Sequence, residues 1–327
     1  MSRRAAPALV AITLFVSALV GCSADREPAE RVDVPTPQAT ASVAPPVSPA
    51  APAGSAPDGT FAIGVRQLKL NRDGDRPLPV TVWYPAAGRA GGEPASGADA
   101  ADGKFPVIMF SHGLGGRPDD YESLLTRWAS AGFVVAAPTF PKTSRGGGEN
   151  NVLDVLNQPA DVSYALTRVL ALDARDGDPL RGRLATDRVA AAGHSAGAVT
   201  TIGLFTAGRD ERLAAGVVFA GTALGVGTAF AGAAAPQLFV HGQADEVVQY
   251  AAGKAVYDKV PWPKAMLSLP DGDHGRALLR GEGAALRVVA DTTTEFLRWT
   301  LYGDAEAKKR IPTAASRDDI ATLDDNL

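Results

Sequence analysis

The chain has 327 residues, of which 46% are hydrophobic and 21% charged, and its net charge is −4. That balance suits a soluble globular enzyme with one large core. Lys and Arg are scattered, which excludes the basic face of a nucleic-acid binder.

Arg3 and Arg4 precede an apolar run from Ala8 to Val20, too short to span a membrane comfortably and shaped like a targeting segment. It ends in Leu19-Val20-Gly21-Cys22, which resembles the bacterial lipobox, whose cysteine is diacylated and becomes the mature N-terminus. Cys22 is the only cysteine, which argues against disulfides and against a thiol nucleophile. The expected location is the extracytoplasmic face of a bacterial membrane, held by a lipid anchor. The alternative is an ordinary cleaved signal and a secreted protein. Residues 1–21 are thus read as a signal peptide. Residues 22–58, crowded with Pro, Ala, Ser and Thr, are read as a disordered tether.

From Phe61 onward short apolar runs alternate with amphipathic ones, the pattern of an α/β sheet covered by helices. Phe61 to Leu70 and Pro79 to Tyr84 predict two strands joined by a turn at Asn71-Arg72-Asp73-Gly74-Asp75. A Gly/Ala-rich loop, Ala86 to Gly103, leads to a buried strand over Val107 to Ser111, a helix over Tyr121 to Ala131 and a strand over Phe133 to Ala137. Val162, Leu166, Val169 and Leu170 recur at helical spacing, which predicts a helix over Pro159 to Leu172. Val189 to Ala192, Ala214 to Ala220, Gln237 to His241 and Ala265 to Leu269 predict further strands, and Gly283 to Leu301 a closing helix. The connection Gly221 to Pro236 is too short for a helical cap, so an uncapped site is expected. The catalytic domain is placed at 59–303. Residues 304–327 form a charged C-terminal tail, either frayed or a short docked helix.

The chemistry centres on Gly193-His194-Ser195-Ala196-Gly197, which follows a predicted strand and opens a helix-like stretch. In that context the pentapeptide is a nucleophile elbow, with the serine on a strained turn at the top of the sheet. A serine hydroxyl needs a base, and the chain has four histidines. His194 lies in the turn and points away from the serine hydroxyl. His112 closes a different strand, and His241 closes the strand that must deliver the acid. His274, in the loop after the last strand, is left as the base. Asp245 lies just past the Gln237 to His241 strand and is the expected acid behind it, with Glu246 as the neighbouring alternative. Asp271 and Asp273 are read as turn residues that cap their own backbone. The oxyanion needs two aimed N–H donors, assigned to Ala196 and, in His112-Gly113-Leu114, to Leu114. Ser195, Asp245 and His274 stand in the chain order of α/β-hydrolases.

The segments Val80-Thr81-Val82-Trp83-Tyr84-Pro85, Phe105 to Gly116, Pro159-Ala160-Asp161-Val162, Asp187-Arg188-Val189 and the elbow carry a resemblance over Phe61 to Leu301. The chain resembles serine-dependent α/β-hydrolases of the dienelactone-hydrolase-like and platelet-activating-factor-acetylhydrolase-like group, related to bacterial cutinase-type polyester hydrolases. The resemblance implies an α/β-hydrolase fold without a large cap domain and a carboxylic ester hydrolase acting on a small-molecule or polymeric ester. Dienelactone hydrolases proper carry a cysteine nucleophile where this chain has Ser195, so lactone cleavage is not implied. The elbow continues as Ala198-Val199 where many relatives have another glycine. An acyltransferase using the same three residues is the alternative activity, and a non-catalytic binding lipoprotein the third. No cofactor or metal is expected, because the histidines lack His or Cys partners at ligand spacing and no glycine loop fits a phosphate motif. No protein partner is implied.

Overall fold

The structure, a computed structural model, describes residues 54–147, 151–275, 279, 283–317 and 320–327. The expected signal segment, Cys22 and most of the tether lie outside the described residues, as do residues 148–150 of the loop after the fifth strand.

The two opening strands run further than their apolar runs suggest. Strand β1 (Ala62–Arg72) and β2 (Arg76–Ala86) pair antiparallel out to Arg72 and Arg76. The turn between them needs positive φ at Asp73 and Gly74, 57° and 86°, which aspartate tolerates and glycine takes freely. The loop after β2 holds a two-residue strand, β3 (Ala95–Ser96), parallel to β1.

Six strands and five α-helices follow among the described residues, with a helix after each strand except the fourth of them. They comprise β4 (Phe105–Ser111), α1 (Glu122–Ser130), β5 (Val134–Pro138), α2 (Gln158–Leu170), β6 (Leu184–His194), α3 (Ala196–Gly203), β7 (Leu213–Phe219), β8 (Gln237–Gly242), α4 (Tyr250–Lys259), β9 (Lys264–Leu269) and α5 (Ala284–Leu297). Strands β4 to β9 are mutually parallel, and the sheet order is β10-β9-β8-β7-β6-β4-β5-β2-β1-β3. Strand β4 is buried along its whole length, as expected of a parallel strand covered on both faces. Its alternate residues serve two cores. Ile108 and Phe110 cluster with Leu124 and Trp128 of α1 and Phe296 of α5, whereas Val107 and Met109 cluster with Val162 and Leu166 of α2. From β4 the chain steps one way to β5 and the other way to β6, so the topological switch point lies between β4 and β6. The crevice outside their carboxyl ends is where open α/β sheets bind ligands.

At both ends the folded body runs past the expected 59–303 bounds, and at the C-terminus the docked helix, one of the two expected alternatives, is joined by a strand. Ala56 is buried, its N–H donates to Asp304 Oδ2 at 3.3 Å, and Pro57 packs beside Gly132, so the folded body starts ahead of residue 59. The charged tail is part of the fold. Asp304 caps helix α6 (Ala305–Ala315), which buries Ile311 and Ala315, and β10 (Thr322–Asn326) pairs antiparallel with β9. Without β10, β9 would present an unpaired row of N–H and C=O groups at the sheet edge. Residues 221–236 run as turns and coil, and no helical layer lies in that connection. Among the described residues no helix is long and apolar enough to cross a membrane.

Candidate active site

The elbow joins a strained serine to two glycines that have no room for a Cβ. Ser195 sits at φ 55° and ψ −118°, between the end of β6 and the start of α3. Such a conformation costs an L-residue about 1–3 kcal/mol, held in place by the surrounding packing. A Cβ on Gly193 would lie 2.2 Å from the Gly197 carbonyl oxygen, and one on Gly197 would lie 2.0 Å from that of Ser111. The crossing of strand, helix and neighbouring strand therefore closes only with glycine at both places.

The three expected triad residues come together from three strand ends. Ser195 Oγ lies 2.8 Å from His274 Nε2, and His274 Nδ1 lies 2.8 Å from Asp245 Oδ2. Asp245 is buried, while the His274 side chain keeps 20% of its surface in solvent. The other Asp245 oxygen accepts from the backbone N–H of Val247 and of Val248, both at 2.8 Å, which fixes the carboxylate plane behind the ring. Glu246 is exposed and takes no part in this arrangement. Asp273 accepts from the Gly275 N–H at 3.1 Å, the local turn bond expected of it.

The remaining histidines are held elsewhere. His112 is fully buried; its Nδ1 donates to the Gly113 carbonyl at 2.8 Å and its Nε2 accepts the Phe140 N–H at 3.1 Å. Both bonds suit a neutral ring, and burial pulls its pKa down to about 4. His241 was expected only to close β8, yet its Nε2 lies 2.8 Å from the Val248 carbonyl and 3.3 Å from Asp245 Oδ2. Burial lowers its pKa, and the ring packs beside the acid while Nε2–H donates to the Val248 carbonyl. His194 points away from the Ser195 hydroxyl, bonding Tyr121 Oη through Nδ1 at 2.9 Å and the His274 carbonyl through Nε2 at 2.5 Å. Sequence reasoning missed Tyr121, which reads there only as the first residue of a helix. A short 3-10 turn, Pro118–Tyr121, buries it instead.

The expected oxyanion loop runs beside Ser195, since a Cβ on Gly113 would lie 3.3 Å from Ser195 Cβ. Neither the Leu114 nor the Ala196 N–H bonds to another described residue, so both are available as donors. Leu114 itself is 47% exposed. Among the described residues no group of three His, Cys, Asp or Glu side chains could hold a metal ion.

A family model described as Chlorophyllase matches residues 97–227. The fold is that of an α/β-hydrolase. The matched stretch runs from just after β3 through the loop that follows β4 and the elbow to beyond β7, and it supports an α/β-hydrolase of the esterase type. It stops short of Asp245 and His274, which follow β8 and β9. No curated protein matches the chain.

Proposed function

We propose that this protein hydrolyses carboxylic esters through an acyl-enzyme on Ser195, with His274 as general base and acid and Asp245 as its orienting carboxylate. The observation that carries the reading is the unbroken chain of 2.8 Å contacts from Ser195 Oγ through His274 to Asp245 Oδ2. In the first half, Ser195 Oγ attacks the carbonyl carbon as its proton passes to His274 Nε2. The oxyanion is held by the Leu114 and Ala196 N–H groups. Collapse breaks the ester C–O bond, and His274 returns the proton to the leaving alkoxide. Water then repeats the sequence on the acyl-enzyme and releases the acid. Because His274 is partly exposed, water reaches the base, which favours hydrolysis over acyl transfer to another alcohol.

The substrate class follows from what surrounds the mouth. The large apolar side chains exposed among the described residues are Leu114, Val152, Leu153, Leu156, Leu224 and Val247. They stand on the loops that follow β4, β5, β7 and β8, on the same end of the sheet as Ser195. Such a rim suits an ester with a bulky apolar group, small or polymeric. The dienelactone-hydrolase-like and cutinase-type grouping belongs to this proposal.

Replacing Ser195 with Ala should reduce p-nitrophenyl butyrate turnover to background while the thermal midpoint stays within a few degrees; undiminished turnover would remove the nucleophile from this scheme. We extend the proposal to a lipid anchor at Cys22 on the extracytoplasmic membrane face. Expressed from the full chain, Cys22→Ser should move the protein from the membrane fraction to the medium, and retention in the membrane would defeat the anchor.

A further inference from the structure

We propose that His194 and Tyr121 are positioning residues that lock the oxyanion loop and the loop of the general base to each other; this rests on the ester-hydrolase reading above. The position between Gly193 and Ser195 is occupied by a buried imidazole that the proton transfers do not use. Both of its nitrogens are engaged, and the partners lie on different loops.

The direction of the bonds can be assigned. A carbonyl oxygen only accepts, so His194 Nε2 carries the proton that it donates to the His274 carbonyl at 2.5 Å. In the neutral ring Nδ1 then accepts, and its partner at 2.9 Å is Tyr121 Oη. That hydroxyl itself accepts the Gly113 N–H at 2.9 Å. One relay therefore runs from Gly113 N–H through the Tyr121 hydroxyl and the His194 ring to the main chain of His274.

The sheet alone cannot make this connection. Strand β9, which delivers His274, is separated from β6 by β8 and β7, so no backbone ladder joins the base loop to the elbow. The local packing is fitted to the relay from both sides. A Cβ on Gly275 would lie 2.8 Å from His194 Nε2, and one on Gly113 would lie 3.1 Å from His194 Nδ1 and 3.2 Å from Tyr121 Oη. Tyr121 is held in turn against Phe110 of β4, ring centroids 4.8 Å apart, and the His194 and His274 rings stand 4.8 Å apart. The consequence for catalysis is geometric. The relay sets where the Gly113-Leu114 backbone and the His274 ring stand relative to Ser195, and small displacements of such groups cost orders of magnitude in rate.

The test uses the full-length chain and p-nitrophenyl butyrate, with Tyr121→Phe, His194→Asn and His194→Gln. An asparagine amide reaches the place of Nδ1 but not that of Nε2, whereas a glutamine amide reaches the place of Nε2 and can still donate to the His274 carbonyl. His194→Asn should lower kcat by roughly 10–100-fold with KM within about threefold, and His194→Gln should recover most of that loss. Tyr121→Phe, which strands the Gly113 N–H, should lower kcat by about tenfold and weaken inhibition by a phenylboronic acid in the same proportion. Near-UV circular dichroism identifies the folded variants, and if His194→Asn does not fold, Tyr121→Phe and His194→Gln carry the comparison. The relay is overturned if folded His194→Asn and Tyr121→Phe both keep kcat within twofold of the parent, or if glutamine rescues nothing. A parent chain that neither turns over the ester nor reacts with a fluorophosphonate at Ser195 fails differently: it removes the hydrolase reading, and the relay with it.

Discussion

The two ends of the parallel strands are built on different principles. At the carboxyl ends lie the strained Ser195, the buried His112, His194, His241 and Asp245, and the buried carboxylates Asp154 and Asp161 around Arg76. At the amino ends and on the closing helices, buried polar groups are mostly neutral and charges stay near water. The buried Tyr302 hydroxyl donates to the Gly132 carbonyl at 2.5 Å, whereas Lys309 and Glu306 pair with about two-thirds or more of both side chains exposed. The first end combines desolvated ionisable groups with non-glycine backbone strain to hold a site, and the second shows no such strain among the described residues. Substitutions at the mouth should therefore be far more costly than chemically similar ones elsewhere.

The largest effect expected is on catalysis. Asp245→Asn keeps the size of the side chain but cannot support the imidazolium, and kcat should fall by about 10³–10⁴-fold with little change in stability. A loss below tenfold in steady-state assays would break the comparison at its centre, because another carboxylate, such as Glu246, would then be supplying the charge.

Next comes a pair of arginine and lysine deletions. Arg76 is only 11% exposed, its pKa is raised chiefly by the Asp161 hydrogen bond, and it bonds both Asp161 and Asp154. Arg76→Ala removes the cation shared by two buried carboxylates, leaving Asp161 only Arg72 at 3.2 Å, and should cost about 3–5 kcal/mol in urea unfolding. It should also loosen the Val152–Leu156 turn that carries part of the apolar rim. Lys309→Ala, which deletes an exposed pair at the other end, should shift Tm by no more than about 2 °C. Equal losses would show that the two ends do not differ as described.

The pH dependence sharpens the same contrast. The folded pKa of His112, about 4, lies below its ordinary 6.5, so above pH 6.5 the ring is neutral in both states and its contribution is fully present. Between pH 6.5 and 4 the unfolded chain takes up a proton that the fold refuses, and stability falls by about 1.4 kcal/mol per pH unit. Below pH 4 the folded ring protonates too and this loss levels off. The total is about 3 kcal/mol, to be read as the difference between parent and His112→Asn in urea midpoints at pH 7.5 and 4.5. Parallel pH curves for the two proteins would show that His112 is not the group responsible.

Much of the architecture is legible in the sequence because periodicity and turn chemistry are local. The apolar runs at Val107, Val189 and Gln237 mark three central strands, and the Gly-x-Ser-x-Gly context marks the sharp turn, since only glycine fits the close crossings around Ser195. Chain order together with the small number of histidines singles out His274 and Asp245, which the structure brings within hydrogen-bond distance of each other and of Ser195. The charged tail was not readable in the same way. Thr322-Leu323-Asp324-Asp325-Asn326 has no apolar alternation of its own and is a strand because β9 offers it an edge. Helix α4, with Gly253 and few apolar residues, gave no periodic signal; it is placed by packing, with Gly253 pressed against the His241 ring.

The sequence by itself determined the sheet-and-helix plan, the elbow and the candidates for nucleophile, base and acid, because these depend on spacing along the chain and on the elimination of a few residue types. Only the tertiary structure decided which polar groups support one another around the elbow. The links from Tyr121 to His194, from His194 to the His274 backbone and from His241 toward Asp245 join residues between 4 and 80 positions apart. Hydrogen bonds act over about 3 Å of space and carry no trace of that distance in the order of the amino acids.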